Sequence, residues 1–270
     1  MSHDTTKQAS GGLDVAVLVS VGRHPLTARA RRADHDARAV ELALGLEAAR
    51  VRLMHAGRND PDSEAALRDY LGMGFASLTR IDQPAGADVL PALLEALRES
   101  APQLLFTGSR AETGEGSGLL PYLLGEALGW PVVTGIAAVE SVEGGTATLL
   151  QALPRGQRRR LRVRLPALIS VDEAGPAPRQ SAYGPARRGT LSAEIRPAET
   201  DDALAGWTLE PARARPKRLK IVKASSARER FKAAAAKAEG GGGQVLTDVT
   251  PEQGAEAIFT LLKEEGVLRH

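Results

Sequence analysis

The sequence predicts an α/β fold: a doubly wound parallel sheet, with an appended antiparallel hairpin and an extended C-terminal arm plus helix. Three observations carry this. Between residues 13 and 128, short apolar runs alternate four times with helix-spaced runs. Such strand–helix units line up in parallel with helices on both faces. After Pro131 the helices stop and strand-like runs follow one another. A glycine-rich stretch, Gly108 to Gly118, stands between the fourth strand and the fourth helix, at the carboxyl end of a strand, where such sheets hold ligands.

Taken in order, Leu13–Val19 is the first strand and Ala33–Ala49 the first helix, with Ala39, Val40, Ala43, Leu44 and Leu46 on one side and Asp34 or Asp36 as its cap. Val51–His55 is the second strand. Pro61–Leu71 is a helix opened by Asp60 or Asp62 and closed near Gly72-Met73-Gly74. Ser77–Ile81 and Asp88–Glu99 form the third unit, Leu104–Thr107 and Leu119–Leu128 the fourth. Beyond Pro131, Ile136–Val142, Ala147–Leu153 and Arg160–Leu165 read as strands. They are joined by the turns Glu143-Gly144-Gly145 and Pro154-Arg155-Gly156 and followed by the short strand Ala167–Val171.

Pro176–Pro216 is rich in Pro, Ala, Arg and acids without a clear period, which suits an extended, partner-wrapping arm better than a packed core. Ala227–Ala238 is expected to be helical, Glu239–Gln244 a glycine hinge, and Pro251–Glu265 an amphipathic helix with Ala255, Ile258, Leu261 and Leu262 on its apolar side. The organisation expected is a disordered polar leader over 1–12, an α/β nucleotide-binding core with hairpin over 13–175, and arm, hinge and helix over 176–270.

Composition narrows the chemistry. In 270 residues, 43% are hydrophobic and 25% charged, ordinary values for a globular chain, and only 3% are aromatic. The core must therefore be built from Leu, Val, Ile and Ala. With no cysteine, disulfides, iron–sulfur clusters, thiolate zinc sites and a Cys nucleophile are excluded. Five scattered histidines show no metal-ligand spacing, so no metal is expected. No apolar run is long enough to span a membrane and no signal peptide is visible, which predicts a cytoplasmic protein. A net charge of +2 gives no general pull toward nucleic acid.

Six arginines from Arg155 to Arg164 form the strongest local charge. Arg160, Arg162 and Arg164 alternate with Leu161, Val163 and Leu165, the pattern of a half-solvated strand. Aromatics interleaved for nucleic-acid stacking are missing from this tract, so the expectation is a solvated or partner-facing strand with no nucleic-acid partner.

Glycines let a backbone turn its N–H groups onto an anion, and a following helix N-terminus adds positive potential. The stretch Gly108–Gly118 is thus the candidate phosphate cradle, although it fits neither the P-loop nor the G-x-G-x-x-G pattern. A solvated surface loop is the competing reading.

Several motifs in order resemble the β subunit of electron transfer flavoproteins. Ala33-Asp34-His35-Asp36-Ala37-Arg38-Ala39-Val40-Glu41 is similar to that family's N-P-x-D-x-x-A-x-E helix start. Gly72-Met73-Gly74-Phe75-Ala76 resembles its A-M-G-A-D turn. Gly108-Ser109-Arg110-Ala111, continued through Leu124 to Leu128-Gly129-Trp130-Pro131, resembles its G-x-x-A loop and L-x-x-x-L-G-W-P helix end. Leu165–Val171 resembles L-P-A-[LV]-[VI]-[ST]-V, and the ending Leu261-Leu262-Lys263-Glu264-Glu265-Gly266-Val267-Leu268 is similar as well.

The resemblance implies an adenine nucleotide α-hydrolase-like core. It also implies a heterodimer with an electron transfer flavoprotein α subunit that carries FAD, no catalytic residues in this chain, and a flavin-dependent dehydrogenase as electron donor. It implies a nucleotide in the β subunit as well, AMP or, in the family's bifurcating members, a second FAD. The residues carried over are Ser20, Val21 and Gly22 after the first strand, and Ala56 and Gly57 at the end of the second. After Thr107 they are Gly108, Ser109, Arg110, Thr113, Gly114, Glu115, Gly116, Ser117 and Gly118.

The chain departs from the family at three places. Thr113-Gly114-Glu115-Gly116-Ser117-Gly118 replaces a loop with paired Asp residues, leaving Glu115 as its acidic group, and Ser20 stands where a lysine is expected. The family's docking loop E-P-R-Y-x-x-L-P aligns with Ala177–Gly184. That puts Tyr183 at the docking leucine and names Arg179 and Tyr183 as partner-docking residues. Two other readings stay open at this stage: a stand-alone adenine-nucleotide-binding module of universal-stress type, and a scaffold that has lost its nucleotide.

Overall fold

The computed structural model describes residues 12–208 and 246–264, with 210, 212, 226 and 228 between them. The chain divides into two compact units, residues 1–208 and 209–270. The expected leader, the helix over 227–238 and the glycine hinge lie outside the described residues but for Gly12 and Arg228.

In chain order the first unit holds β1 (Asp14–Leu18), β2 (Val21–Arg23), β3 (Ala30–Arg32), α1 (Asp34–Leu44), β4 (Arg50–Gly57), α2 (Pro61–Leu71), β5 (Ser77–Asp82), β6 (Ala87–Asp88), α3 (Val89–Ser100), β7 (Leu104–Gly108) and α4 (Leu120–Leu128). There follow β8 (Val132–Val133), β9 (Ile136–Glu143), β10 (Thr146–Ala152), β11 (Arg158–Arg164), β12 (Ala167–Val171), α5 (Tyr183–Arg188), β13 (Thr190–Ile195), β14 (Glu199–Thr200) and α6 (Asp202–Ala205). Seven strands pair in the order β13-β5-β4-β1-β7-β12-β8, every pair parallel.

The chain winds outward from β1 through β4 to β5, then returns to β7 on the other side of β1. The winding direction reverses between β1 and β7, and their carboxyl ends flank a crevice of the kind that binds ligands. The period of two along the strands builds the two cores. Val15, Val17, Leu53 and Phe106 face α1 and α2, packing with Val40, Leu67 and Tyr70. Ala16, Met54 and Leu105 face α3 and α4, packing with Leu93, Leu97 and Leu124. The four predicted strand–helix units are therefore present, with helices on both faces.

The end of α1 and its cap differ from expectation. The helix stops at Leu44, with Gly45 as its C-cap, because the chain turns through residues 45–49 to enter β4. Neither Asp34 nor Asp36 caps it: the N-cap is Ala33 and no side chain performs that role. Asp36 points inward instead, since it shares the buried stripe of Val40 and Ala43 three to four residues apart. By contrast Asp60 caps α2, accepting the Ser63 N–H at 2.8 Å, and Asp88 caps α3 through the Leu90 N–H at 2.9 Å.

The strands β9, β10 and β11 form a separate antiparallel sheet. In β11, Val163 is buried opposite Ala147, while Arg158, Arg159, Arg160, Arg162 and Arg164 are exposed. Arg160 pairs with Glu140 across the sheet.

Among the elements without a sequence signal, two shape the site and the sheet. The segment after β1 folds into the β2–β3 hairpin. Part of the predicted arm returns to its own sheet: β13 lies parallel to β5 at the edge, with Leu191 opposite Leu78. An edge strand exposed over most of its length shows little of the period that a buried strand shows. In the second unit, the helix Pro251–Glu264 forms as predicted, and Ile258, Phe259 and Leu261 on it are exposed.

Candidate functional site

The crevice is organised by one carboxylate. Asp36 is 5% exposed and reaches from the first turn of α1 to both strand ends. One of its oxygens accepts the Ser20 N–H at 2.7 Å and the Ser20 hydroxyl at 2.5 Å, and the other accepts the Gly108 N–H at 3.0 Å. Gly108 carries no Cβ because Asp36 Oδ1 occupies its place. Burial pushes the Asp36 carboxyl up to about 6, against the opposing pull of the Ser20 and Gly108 hydrogen bonds. Tyr70, fully buried on α2, braces the same corner by accepting the Ala33 N–H and donating to the Ser20 carbonyl, both at 2.9 Å. Burial raises its phenol well above the ordinary value.

A second carboxylate joins the glycine-rich loop to the hairpin. Glu112 accepts the Asp34 N–H at 2.8 Å and the Arg23 N–H at 3.1 Å. The Arg31 guanidinium donates to both its oxygens, at 3.0 and 2.9 Å. The Thr113 hydroxyl donates to the Val21 carbonyl at 2.9 Å, and Ser109 Oγ lies 2.7 Å from His35 Nδ1. The loop then turns through Gly114, Gly116 and Gly118, all at positive φ. At Gly118 a Cβ would also stand 2.8 Å from the Ser109 carbonyl oxygen, so glycine is required twice over. The N-terminus of α4 follows without a side-chain cap; Ser117 Oγ accepts the Leu119 N–H at 3.4 Å.

The structure thus brings Ser20, Val21 and Gly22 together with Gly108, Ser109 and Thr113. Arg110 and Glu115 are exposed on the loop. Ala56 and Gly57 lie at the end of β4, on the opposite side of β1 from β7, and join the crevice only through their neighbour His55. The buried His55 ring donates from Nδ1 to the Val19 carbonyl at 2.8 Å, and burial lowers its pKa. Of the docking candidates, Tyr183 is 76% exposed and its hydroxyl accepts from Arg187 at 3.0 Å. Arg179 forms a two-pronged pair with Glu41 of α1 at 2.8 and 2.9 Å, and this contact draws the Glu41 carboxyl below its usual range.

The sequence reading missed Asp36, Glu112, Tyr70 and His55 as site residues. For Asp36 a signal existed, its place on the inward stripe of α1. For Glu112 there was none, since its partners Arg23, Arg31 and Asp34 lie some eighty residues away and meet it through a hairpin that was not foreseen.

A model of the electron transfer flavoprotein domain matches residues 27–203. Over 257 residues the chain is 71% identical to the electron transfer flavoprotein subunit beta of Chromohalobacter salexigens, covering 95% of this chain and 96% of that one. The chain belongs to the electron transfer flavoprotein β-subunit family. More distant relatives match over shorter spans. The electron transfer flavoprotein subunit beta of Syntrophomonas wolfei is 32% identical over 55% of this chain and 61% of its own. The putative electron transfer flavoprotein subunit YgcR of Escherichia coli is 31% identical over 48% of this chain and 54% of its own. The family's proteins are electron carriers, and membership brings flavin into the account and an α subunit as partner. Among the described residues no helix is long and apolar enough to cross a membrane.

A nucleotide phosphate fits poorly on the walls of the β1–β7 crevice. The N–H groups of Ser20 and Gly108 already donate to Asp36, and those of Arg23 and Asp34 to Glu112. Arg31 is held by Glu112 as well. A phosphate would meet matched donors and two carboxylates.

Proposed function

We propose that this chain pairs with an α subunit that holds FAD, lends one wall to that flavin, and docks a flavin-dependent dehydrogenase from which the flavin takes electrons. The redox chemistry is supplied by the flavin; the protein contributes binding and orientation. The single observation that carries this reading is the 71% identity, along nearly its whole length, to a protein named as an electron transfer flavoprotein β subunit. The site chemistry supports it. The crevice's polar side chains are engaged with one another and with main-chain groups, an arrangement that holds shape rather than one that moves protons for a reaction.

On this reading residues 13–175 form the core of the subunit and residues 176–270 its partner-facing part. Tyr183, exposed on α5, fills a pocket on the dehydrogenase, where an aromatic ring and its hydroxyl give both apolar contact and a hydrogen bond. Arg179 positions that segment by tying it to Glu41. Ser20, Val21, Gly22 and the loop Gly108–Gly118 form the position of the family's β-bound nucleotide in altered form.

The test is reductive titration under anaerobic conditions. The chain co-expressed with its α subunit takes up electrons reversibly at a bound flavin, and the isolated chain takes up none. A co-expressed pair that never associates, or associates without a redox-active chromophore, overturns the proposal.

A further inference from the structure

Glu112 lies outside every site residue that the family resemblance supplied, yet its carboxylate has more partners than any other in the crevice. Two main-chain donors, Asp34 N–H at the start of α1 and Arg23 N–H on the hairpin, converge on it together with the Arg31 guanidinium. A helix N-terminus, a free N–H and a forked cation are the groups that an oxyanion uses. The hairpin is shaped around this carboxylate: a Cβ on Gly22 would stand 2.7 Å from Glu112 Oε2. The Glu112 side chain is 25% exposed, so the cradle opens to the crevice rather than into the core. On the facing wall Asp36 takes the Ser20 and Gly108 donors. The crevice therefore already contains its anions, and both belong to the chain.

We propose that Glu112 is the resident anion of this crevice. It stands in for a nucleotide phosphate, latches the glycine-rich loop onto the β2–β3 hairpin, and leaves the chain without bound AMP. The proposal rests on the chain being a flavoprotein β subunit and identifies what fills its nucleotide position. An entering phosphate would have to displace Glu112 from Arg31 while approaching the Asp36 carboxylate, and like charges in a partly desolvated space repel. The ordering that a bound nucleotide would give the loop comes from Glu112 and from the Thr113 hydroxyl on the Val21 carbonyl. The latch explains why a loop with rearranged acidic residues still closes.

The experiment uses the heterodimer co-expressed with its α subunit. Nucleotides released on denaturation are identified by mass, and AMP and inorganic phosphate are titrated calorimetrically into wild type, Glu112→Gln and Glu112→Ala. Wild type is expected to release FAD but no AMP and to give no binding heat at millimolar AMP. In the variants, AMP binding tightens about tenfold or more, with phosphate competing for the same place. AMP held stoichiometrically by the flavin-loaded wild type overturns the proposal, as does a failure of both folded variants to gain affinity. Glu112→Gln keeps the size and an accepting oxygen, which guards against a folding defect in the alanine variant. A complex that lacks flavin counts against the β-subunit reading itself, and so the two failures are told apart.

Discussion

At the β1–β7 crevice two carboxylates, Asp36 and Glu112, are surrounded by N–H donors. At the β13 edge of the same sheet one guanidinium, Arg196, is surrounded by three carboxylates, Glu95, Glu99 and Glu194. The crevice contacts run mainly to main-chain groups of different strands, so they fix where those strands end. The edge contacts run between side chains, and the three carboxylates are 50, 61 and 41% exposed. Removing a buried acceptor strands its donors at a cost of about 1–3 kcal/mol each, whereas exposed ion pairs contribute about 0–1 kcal/mol. The two sets of contacts thus do different work: the crevice sets geometry, and the edge fastens a late-arriving strand.

The comparison breaks most visibly at Asp36. Asp36→Ala strands the N–H groups of Ser20 and Gly108 and is expected to cost about 3 kcal/mol at pH 7 by urea denaturation. The deficit should grow toward pH 4.5. With its pKa raised from 3.8 to about 6, the native carboxyl keeps a proton that the unfolded chain has released. The part of the stabilisation that comes from this extra proton is complete below about 4 and is lost as the pH rises through 6, on top of the donors that remain stranded at pH 7. A deficit that shrinks on acidification would contradict the buried placement. Gly108→Ala comes next, because its Cβ collides with the Asp36 carboxylate. The expected loss is about 1–3 kcal/mol, and a neutral outcome would mean that the strand ends have room to part.

Arg196→Ala should act locally. Amides of β13 would exchange faster while those of Ser20 and Gly108 keep their protection, and added salt should reproduce the effect in the wild type. Acid should do so too, since the contact with Arg196 holds Glu99 below its usual value and is lost as the pH falls and Glu99 takes a proton. Faster exchange at both places would show that edge and crevice are one cooperative unit. Smallest in stability, within about 0.5 kcal/mol, is Tyr183→Ala. It is expected to slow reduction of the flavin by the dehydrogenase with flavin content unchanged; equal loss of flavin would make Tyr183 structural.

The division between what was legible in the sequence and what was not follows the same line. The four strand–helix units and the antiparallel strands were readable because buried faces impose a period on Val15 and Val17, or on Val163 beside its arginines. The position of the crevice was readable from the glycines that follow Phe106-Thr107. The chemistry of the crevice was not. Asp36 has the residue type and place of a helix cap, and only the inward face of α1 turns it into a strap. Glu112 acquires its role from Arg23, Arg31 and Asp34 through the β2–β3 hairpin, a pairing with no local signature. Edge strand β13 stayed hidden because its anchor, Arg196, works through side chains on a distant helix.

The most direct test of the whole account is a mass and absorbance census of the purified complex between this chain and its α subunit. One FAD per heterodimer, and none on the chain purified alone, is the predicted result. A stable, flavin-free monomer that binds ATP by itself would contradict it.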